Sequence, residues 1–492
     1  MKTAGLIAGP LLALLVFALN PGDNPPEARR LLGIVVMAIC FWMTEAIPLP
    51  ATALLASSLA IVTGVAPASE VLAPYANPVI FLFTGTFLLA EAFATYRLDR
   101  TLVAAILREG RGSSAAGLMA GFGSAAAAIS TVISNTATAA LVTPLAVGAV
   151  EQRGGIEVSA DGRSRRGRPW ASSVMLMIAY GATAGGMATI IGTPPNLLVA
   201  GFLDELAGVR VSFTAWLIFG VPVAVSVLLA SYVLTRLMTE AAALSSVATH
   251  EERDSARKDE ELSPREIHNG ARWTLFAFAL AGFLWTLPAI AGLVVGRDAP
   301  AARLLERLLP EAGVALLCAS LLFVMPVRWA SRRFALSWEE GRRVNWGIIL
   351  LFGGGLSLGS LAQSTGLAAK AGEVIHGTGL AESPAGFLAV CIVVSILISE
   401  FASNTAATTL IVPIVIAAAH AVGHDPVRPA LGAGLAATCG FIFPVSTPPN
   451  AIVFATGLVP LWKMIRVGLL LDLAAGALIW LWLIALTPLL PH

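Results

Sequence analysis

The sequence predicts an all-α polytopic membrane protein: 11 transmembrane helices and two re-entrant helical hairpins, arranged as an inverted repeat. Three observations predict it. The 492 residues are 57% hydrophobic and 12% charged, with a mean hydropathy of +0.81, whereas soluble domains carry about 25% charged residues. Apolar runs recur near the ~20 residues that a helix needs to cross a bilayer. A polar phrase occurs twice inside such runs, as SNTATAALVTP at 134–144 and SNTAATTLIVP at 403–413. A second phrase follows each copy: Gly192-Thr193-Pro194-Pro195-Asn196 and Ser446-Thr447-Pro448-Pro449-Asn450.

The same composition excludes other classes. So few charges cannot cover a soluble surface, which argues against a large soluble enzyme. A net charge of +1 suggests neither nucleic acid nor an acidic partner. Cys40, Cys318, Cys391 and Cys439 stand singly, with no CxxC or Cys/His spacing, so no zinc site or disulfide framework is implied. No cofactor is expected. Lys2 and the apolar run to Leu19 look like a signal peptide, but no clear small-x-small site follows. We read it as an uncleaved first span.

Taken in order, apolar segments fall at 4–20, 31–47, 51–64, 78–96, 113–150, 170–200, 213–238, 273–295, 311–327, 345–363, 382–420, 427–457 and 462–489. Segments 113–150 and 382–420 are too long for one helix and short for two crossings plus a turn. Each has Ser-Asn-Thr near its middle and a proline, Pro144 or Pro413, in its second arm. They read as hairpins that enter and leave on one side, because non-helical backbone at that depth must be buried or line a cavity. The other eleven are crossings. With the N-terminus in the cytoplasm, parity places 23 of the 31 basic residues on the cytoplasmic side, as the positive-inside rule requires. The C-terminus is then outside. The loop at 239–272 is densely charged and reads as a solvated cytoplasmic connector.

The two halves are related. At an offset of 269 residues, Phe83 matches Phe352, Gly85 matches Gly354, Leu98 matches Leu367, and Ser130 matches Ser399. Ser134, Asn135 and Thr136 match Ser403, Asn404 and Thr405 at that offset, while the Thr-Pro-Pro-Asn motifs match at 254. Five crossings separate the hairpins, so one enters from the cytoplasm and the other from outside. Inverted repeats with interrupted helices meeting near the midplane are the signature of a secondary transporter.

The polar breaks suggest the cargo. A hairpin tip presents a helix N-terminus, with free N–H groups and a positive dipole end, which favours an anion. Ser, Asn and Thr add neutral donors for carboxylate or sulfate oxygens. The Thr-Pro-Pro breaks leave carbonyls without partners, and these with side-chain oxygens suit a hard cation such as Na⁺. Neither hairpin contains Arg or Lys, so a buried dianion would need dipoles and co-bound cations to balance it.

At these residues the sequence resembles the divalent anion/sodium symporters, the family of di- and tricarboxylate carriers. The motifs are Trp42-Met43-Thr44-Glu45-Ala46-Ile47-Pro48, Ser399-Glu400-Phe401-Ala402-Ser403-Asn404-Thr405, and Gly185-Gly186 ahead of the first Gly-Thr-Pro-Pro-Asn. Phe441 to Val453 fits the family signature, with Thr438 where relatives usually carry Ser. The resemblance covers nearly the whole chain. It implies a homodimer whose protomers each have a scaffold, here 1–112 and 273–381, and a transport domain that slides as an elevator. The transport domain would hold hairpins 113–150 and 382–420 and segments 170–238 and 427–489, with breaks at 192–196 and 446–450.

It also implies roles residue by residue. Ser134, Asn135, Thr136, Ser403, Asn404, Thr405, Thr447 and Pro448 would contact the substrate. One Na⁺ would use Ser130, Ser134, Asn135, Gly192 and Thr193; the other would use Ser399, Asn404 and Ser446. Intramembrane acids are functional candidates by default. Glu45 and Glu400 lie in family motifs, where a structural hydrogen-bond role is expected, and Glu91 and Asp472 read as lying near interfaces. His376, His420 and His424 read as solvated residues of the outer face. The expected function is Na⁺-driven import of C4-dicarboxylates (succinate, malate, fumarate) across the cytoplasmic membrane. A Na⁺-independent dicarboxylate exchanger and a tricarboxylate or sulfate carrier stand as alternatives. An intramembrane enzyme would need a nucleophile–base pair or a metal cluster, and the sequence offers neither.

Overall fold

The structure, a computed structural model, describes residues 2–20, 24–98, 114–158, 165–239, 263–296, 299–329, 332–367, 369–370 and 383–486. His376 and residues 240–262 of the charged connector lie outside the described residues, while 264–272, expected as loop, form the start of a helix that runs from Pro264 to Val295.

The helices follow the apolar segments closely. The first group is α1 (Lys2–Leu19), α2 (Pro26–Thr44), α3 (Leu49–Val62) and α4 (Pro78–Thr95). The first hairpin is α5 (Ala115–Ser130) and α6 (Asn135–Gln152), followed by α7 (Pro169–Ala188), α8 (Pro194–Ala207) and α9 (Phe213–Leu237). Then come α10 (Pro264–Val295), α11 (Pro300–Leu308), α12 (Glu311–Leu322) and α13 (Trp346–Ser364). The second hairpin is α14 (Pro384–Ser399) and α15 (Asn404–Ala421), followed by α16 (Val427–Thr438), α17 (Pro448–Ala455) and α18 (Leu461–Ala485). Eight helical stretches among the described residues are long and apolar enough to cross a membrane alone. The segments at 170–200 and 427–457, expected to be broken at Thr-Pro-Pro, are each two helices end to end, α7 with α8 and α16 with α17. Proline explains where they part. Pro194-Pro195 and Pro448-Pro449 open α8 and α17 at the first turn, where a missing N–H costs nothing. Two short antiparallel ribbons, β1 (Ile156–Val158) with β2 (Arg165–Gly167) and β3 (Pro326–Arg328) with β4 (Arg333–Phe334), add a minor strand content that the all-α reading did not anticipate. The first sits in a polar connector, and the second begins inside the expected crossing 311–327, whose helix α12 stops at Leu322.

The centre is built on α7 and α16. Every residue of α7 from Trp170 to Ala188 is buried, and so is nearly all of α16. α5, α6 and α9 pack on α7; α14, α15 and α18 pack on α16. The halves interlock at the breaks. α8, from the first half, packs on α15 and α16, while α17, from the second, packs on α6 and α7. Around this core, α2 packs on α1 and α3, α3 on α13, and α12 on α4 and α10. The outermost helices keep apolar side chains exposed, as a lipid-facing surface does: Leu11 and Leu14 of α1 and Phe283 of α10 are 60%, 65% and 56% exposed.

Candidate functional site

One cavity of about 690 Å³ collects both hairpin tips and both breaks. Ser134, Asn135, Thr136, Ser403, Asn404, Thr405, Thr447 and Pro448 all line it. Four helix N-termini, those of α6, α8, α15 and α17, meet there. Their dipoles favour negative charge in the space between them. The prolines remove donors from two of the four, so N–H groups come chiefly from the Ser-Asn-Thr turns. Ser134 caps α6 by accepting from the Ala137 N–H at 3.3 Å, and Thr447 caps α17 by accepting from the Asn450 N–H at 3.3 Å.

Behind each tip lies an oxygen-lined cradle. In the first, Ser130 Oγ donates to Asn135 Oδ1 at 2.8 Å. In the second, Ser399 Oγ donates to Asn404 Oδ1 at 3.0 Å, and Asn404 Nδ2 donates to Thr438 O at 3.1 Å. Each asparagine lies close beneath a glycine of the broken helix. A Cβ on Gly186 would come 2.2 Å from Asn135 Oδ1, and one on Gly440 would come 3.5 Å from Asn404 Oδ1. Residues 186 and 440 are related by the same offset of 254 as the Thr-Pro-Pro-Asn motifs. The C-terminal ends of α5, α7, α14 and α16 reach these cradles, and their free carbonyls make the local field negative. The cradles therefore suit cations, while the tips in front of them suit an anion. Of the residues expected around Na⁺, Ser134, Asn135, Gly192, Thr193 and Asn404 line the cavity. Ser130, Ser399 and Ser446 sit behind it, 0%, 0% and 3% exposed.

The last residue of each Thr-Pro-Pro-Asn motif holds the break in shape. Asn196 Nδ2 donates to Gly186 O and Thr189 O, both at 2.8 Å. Asn450 Nδ2 donates to Gly440 O at 2.9 Å and Phe443 O at 3.0 Å. Both side chains are fully buried, and each ties two carbonyls that the unwound segment leaves without helical partners. Sequence reasoning quoted these asparagines without giving them this task.

Other residues it placed differently. Glu91, read as lying near an interface, lines the cavity 3.8 Å from Arg343, which also lines it. Arg343 had counted only as a loop charge, and no spacing in the sequence marks it as part of the cavity. Glu400 is 2% exposed and accepts hydrogen bonds from Ile442 N–H and Ser446 Oγ. Asp472 is 3% exposed, against the expectation of a membrane interface, and faces Glu400. Its helix, α18, is packed on α9, α14 and α16, which takes this face out of contact with solvent. Glu45 is exposed at the left-handed C-cap of α2, with φ 47°, and does not reach the cavity. His420 is exposed, and His424 lies against the Phe387 ring.

The model of the sodium:sulfate symporter transmembrane region matches residues 4–490 of the chain. The chain belongs to the sodium:sulfate symporter family. That membership agrees with the resemblance carried by the Trp-Met-Thr-Glu-Ala-Ile-Pro and Ser-Glu-Phe-Ala-Ser-Asn-Thr motifs, and it makes the chain a multi-pass membrane protein of a transporter family. The chain is similar to the sodium-dependent dicarboxylate transporter SdcS of Staphylococcus saprophyticus, 31% identical over 99% of this chain and 92% of that protein. The protein of the same name from Staphylococcus aureus is 30% identical over 96% of this chain and 89% of its own. Among solved structures, the YdaH transporter of Alcanivorax borkumensis has a TM-score of 0.60 at 15% identity, covering 95% of this chain and 100% of that one. The efflux pump MtrF of Neisseria gonorrhoeae has a TM-score of 0.56 at 14% identity, covering 94% and 96%. These two likenesses establish a shared fold for this family member.

Proposed function

We propose that the protein is a Na⁺-coupled symporter that carries C4-dicarboxylates such as succinate, malate and fumarate across the cytoplasmic membrane. The observation that carries this reading is the pairing of one anion-favouring cavity with two oxygen cradles directly behind its polar tips. Among the described residues, a dianion in that cavity meets helix N-termini, neutral donors and one peripheral cation, Arg343, which is itself 3.8 Å from Glu91, so co-bound Na⁺ supplies the missing charge balance. The names of the staphylococcal relatives support both sodium dependence and a dicarboxylate cargo.

In this reading the helices around α7 and α16 form a transport domain that slides against a scaffold of α1–α4 and α10–α13, in a homodimer. The N-terminus is cytoplasmic and the C-terminus outside. Leu49, Glu91, Ala94 and Asn345 line the cavity and belong to helix ends assigned to the cytoplasmic side, so the conformation is open inward. On the opposite side, Asn77 Nδ2 donates to Glu205 at 2.9 Å and Gln363 Nε2 to Leu206 O at 2.9 Å, closing the outer route. Proteoliposomes holding the purified protein test the reading. Ser134→Ala and Asn404→Ala should abolish Na⁺-driven uptake of labelled succinate. Uptake that survives both substitutions contradicts the site.

A further inference from the structure

A second cavity, of about 470 Å³, opens where α10 begins and the β3–β4 ribbon turns. Among the described residues, three arginines line it, Arg328, Arg332 and Arg333, against one acid, Glu266. The inward-positive bias asks only that such residues lie on the cytoplasmic side. The fold does more with them. It gathers them at one opening and holds the ribbon that carries them from two neighbouring helices. Trp273 Nε1 and Asn269 Nδ2 of α10 donate to Pro326 O at 3.0 Å and Val327 O at 3.3 Å. Tyr96, at the C-terminal end of α4, donates its hydroxyl to Phe334 O at 3.5 Å.

The three guanidiniums are not equally engaged. Arg333 Nη2 donates to Glu340 Oε1 at 3.0 Å, which fixes that side chain inside the fold. Arg328 Nη1 stands 3.7 Å from Glu266 Oε1 with most of its side chain exposed. So open a pair contributes little, and a guanidinium has further donors to offer a second anion. Arg332 is exposed at the turn of the ribbon, and its guanidinium meets no acid among the described residues. Its φ of 50° is sparsely populated for a non-glycine residue. The opening is left net positive, with its least satisfied cation at the rim.

The rim indicates which anion this charge meets. Trp329 follows Arg328 and Trp338 follows Ser337, another lining residue, and the two indoles are 75% and 65% exposed. Exposed indoles beside basic residues belong at the headgroup level of a bilayer. A soluble anion gains nothing from them, whereas a phospholipid sets its phosphate among the arginines and its glycerol and upper acyl carbons against the rings. We propose that this pocket holds the phosphate headgroup of an anionic phospholipid of the cytoplasmic leaflet, bound by Arg328 and Arg332 and backed by Arg333. A lipid seated there ties α10 to the ribbon ahead of α13, within the part of the chain assigned to the scaffold. The proposal rests on the orientation given under the proposed function and is independent of Na⁺ coupling.

The test is native mass spectrometry of the full chain in detergent, titrated with dioleoyl phosphatidylglycerol or dioleoyl phosphatidylcholine. The proteins are wild type, Arg332→Gln, Arg328→Gln/Arg332→Gln, and a control of equal charge change, Arg153→Gln/Arg236→Gln, at residues assigned to the same face that do not line the pocket. Wild type should bind its first phosphatidylglycerol about tenfold or more tighter than phosphatidylcholine. Loss of one arginine should weaken that binding about fivefold, and loss of two roughly 30-fold. Arg332→Gln breaks no ion pair, so it keeps the test decisive should the double variant fail to fold. The control should keep the wild-type preference, and millimolar inorganic phosphate should not displace the lipid. Equal binding of the two lipids overturns the proposal, as does a preference that survives the pocket substitutions or falls equally in the control. Displacement by inorganic phosphate also overturns it, by assigning the arginines to a soluble anion. Each of these outcomes leaves the symport reading standing, since that reading is tested by Na⁺-driven uptake.

Discussion

The mirrored glycines beneath the two breaks should respond unequally to the same substitution. In Gly186→Ala the new Cβ lies 2.2 Å from Asn135 Oδ1 and 3.0 Å from Asn135 Cγ. An unstrained contact requires the pair to separate by about 1 Å. Metal–ligand distances tolerate only about 0.2 Å, so the first cradle loses its asparagine oxygen as a well-placed ligand. A misplacement of that size costs on the order of 10²-fold in precisely assembled sites, and we expect a rise of 10- to 100-fold, roughly, in half-saturating Na⁺. In Gly440→Ala the Cβ meets Thr447 Cγ2 at 3.0 Å and lies 3.5 Å from Asn404 Oδ1. Only a methyl group need give way by a few tenths of an ångström, and the shift should stay below about threefold. Helix loss is not a competing explanation. Gly186 lies inside α7, where alanine favours the helix by about 0.5–1 kcal/mol over glycine. The assay is Na⁺ titration of succinate uptake at fixed substrate, with monodispersity as the folding control. A Gly186→Ala protein with wild-type Na⁺ dependence refutes the cradle, and a Gly440→Ala protein that is the worse of the two refutes its geometry.

Other predictions rest on buried polar contacts. Asn450→Leu takes the side-chain donor from Gly440 O and Phe443 O, leaving Phe443 O only the Ser446 N–H, and at roughly 1–3 kcal/mol for an orphaned Gly440 carbonyl it should lower the melting temperature and abolish uptake. Lys463→Met should lower thermal stability, because the Lys463 Nζ donates to Pro169 O, Ser172 Oγ and Ser173 Oγ at 2.7, 2.9 and 2.7 Å and ties α18 to the start of α7; a melting temperature equal to wild type contradicts that tie. Arg343→Gln should slow uptake most at low ionic strength, since a cation at the cavity mouth acts on anions over about a Debye length; a defect that does not change with salt contradicts an electrostatic role.

Much of this architecture is legible in the sequence, and the particular residues show why. Ser-Asn-Thr within apolar runs, with Thr-Pro-Pro after each, marked the turns at 131–134 and 400–403 and the breaks before Pro194 and Pro448, because few other residues interrupt a membrane helix. Helix limits followed apolar length. The interlock of α8 and α17 with the opposite half was not legible, since it is a non-local packing choice between two similar surfaces. The role of Asn196 and Asn450 was hidden for a different reason. A motif asparagine can be a ligand or a staple, and only the carbonyls of residues 186, 189, 440 and 443 decide it. Glu91 and Arg343 come to the cavity from α4 and from the approach to α13, 252 positions apart in the chain. The Glu400–Ser446 contact spans 46 residues, although the Gly192-to-Ser446 difference that accompanies it was visible once the halves were aligned.

The central claim is that a buried dianion is carried because Na⁺ balances it. The most direct measurement is accumulation of labelled succinate in proteoliposomes under an inward Na⁺ gradient, against the same vesicles with choline in place of Na⁺, and with unlabelled succinate, citrate and sulfate as competitors. The account predicts concentrative uptake with Na⁺, none with choline, and stronger competition by unlabelled succinate than by citrate or sulfate. Uptake that continues unchanged in choline would contradict it.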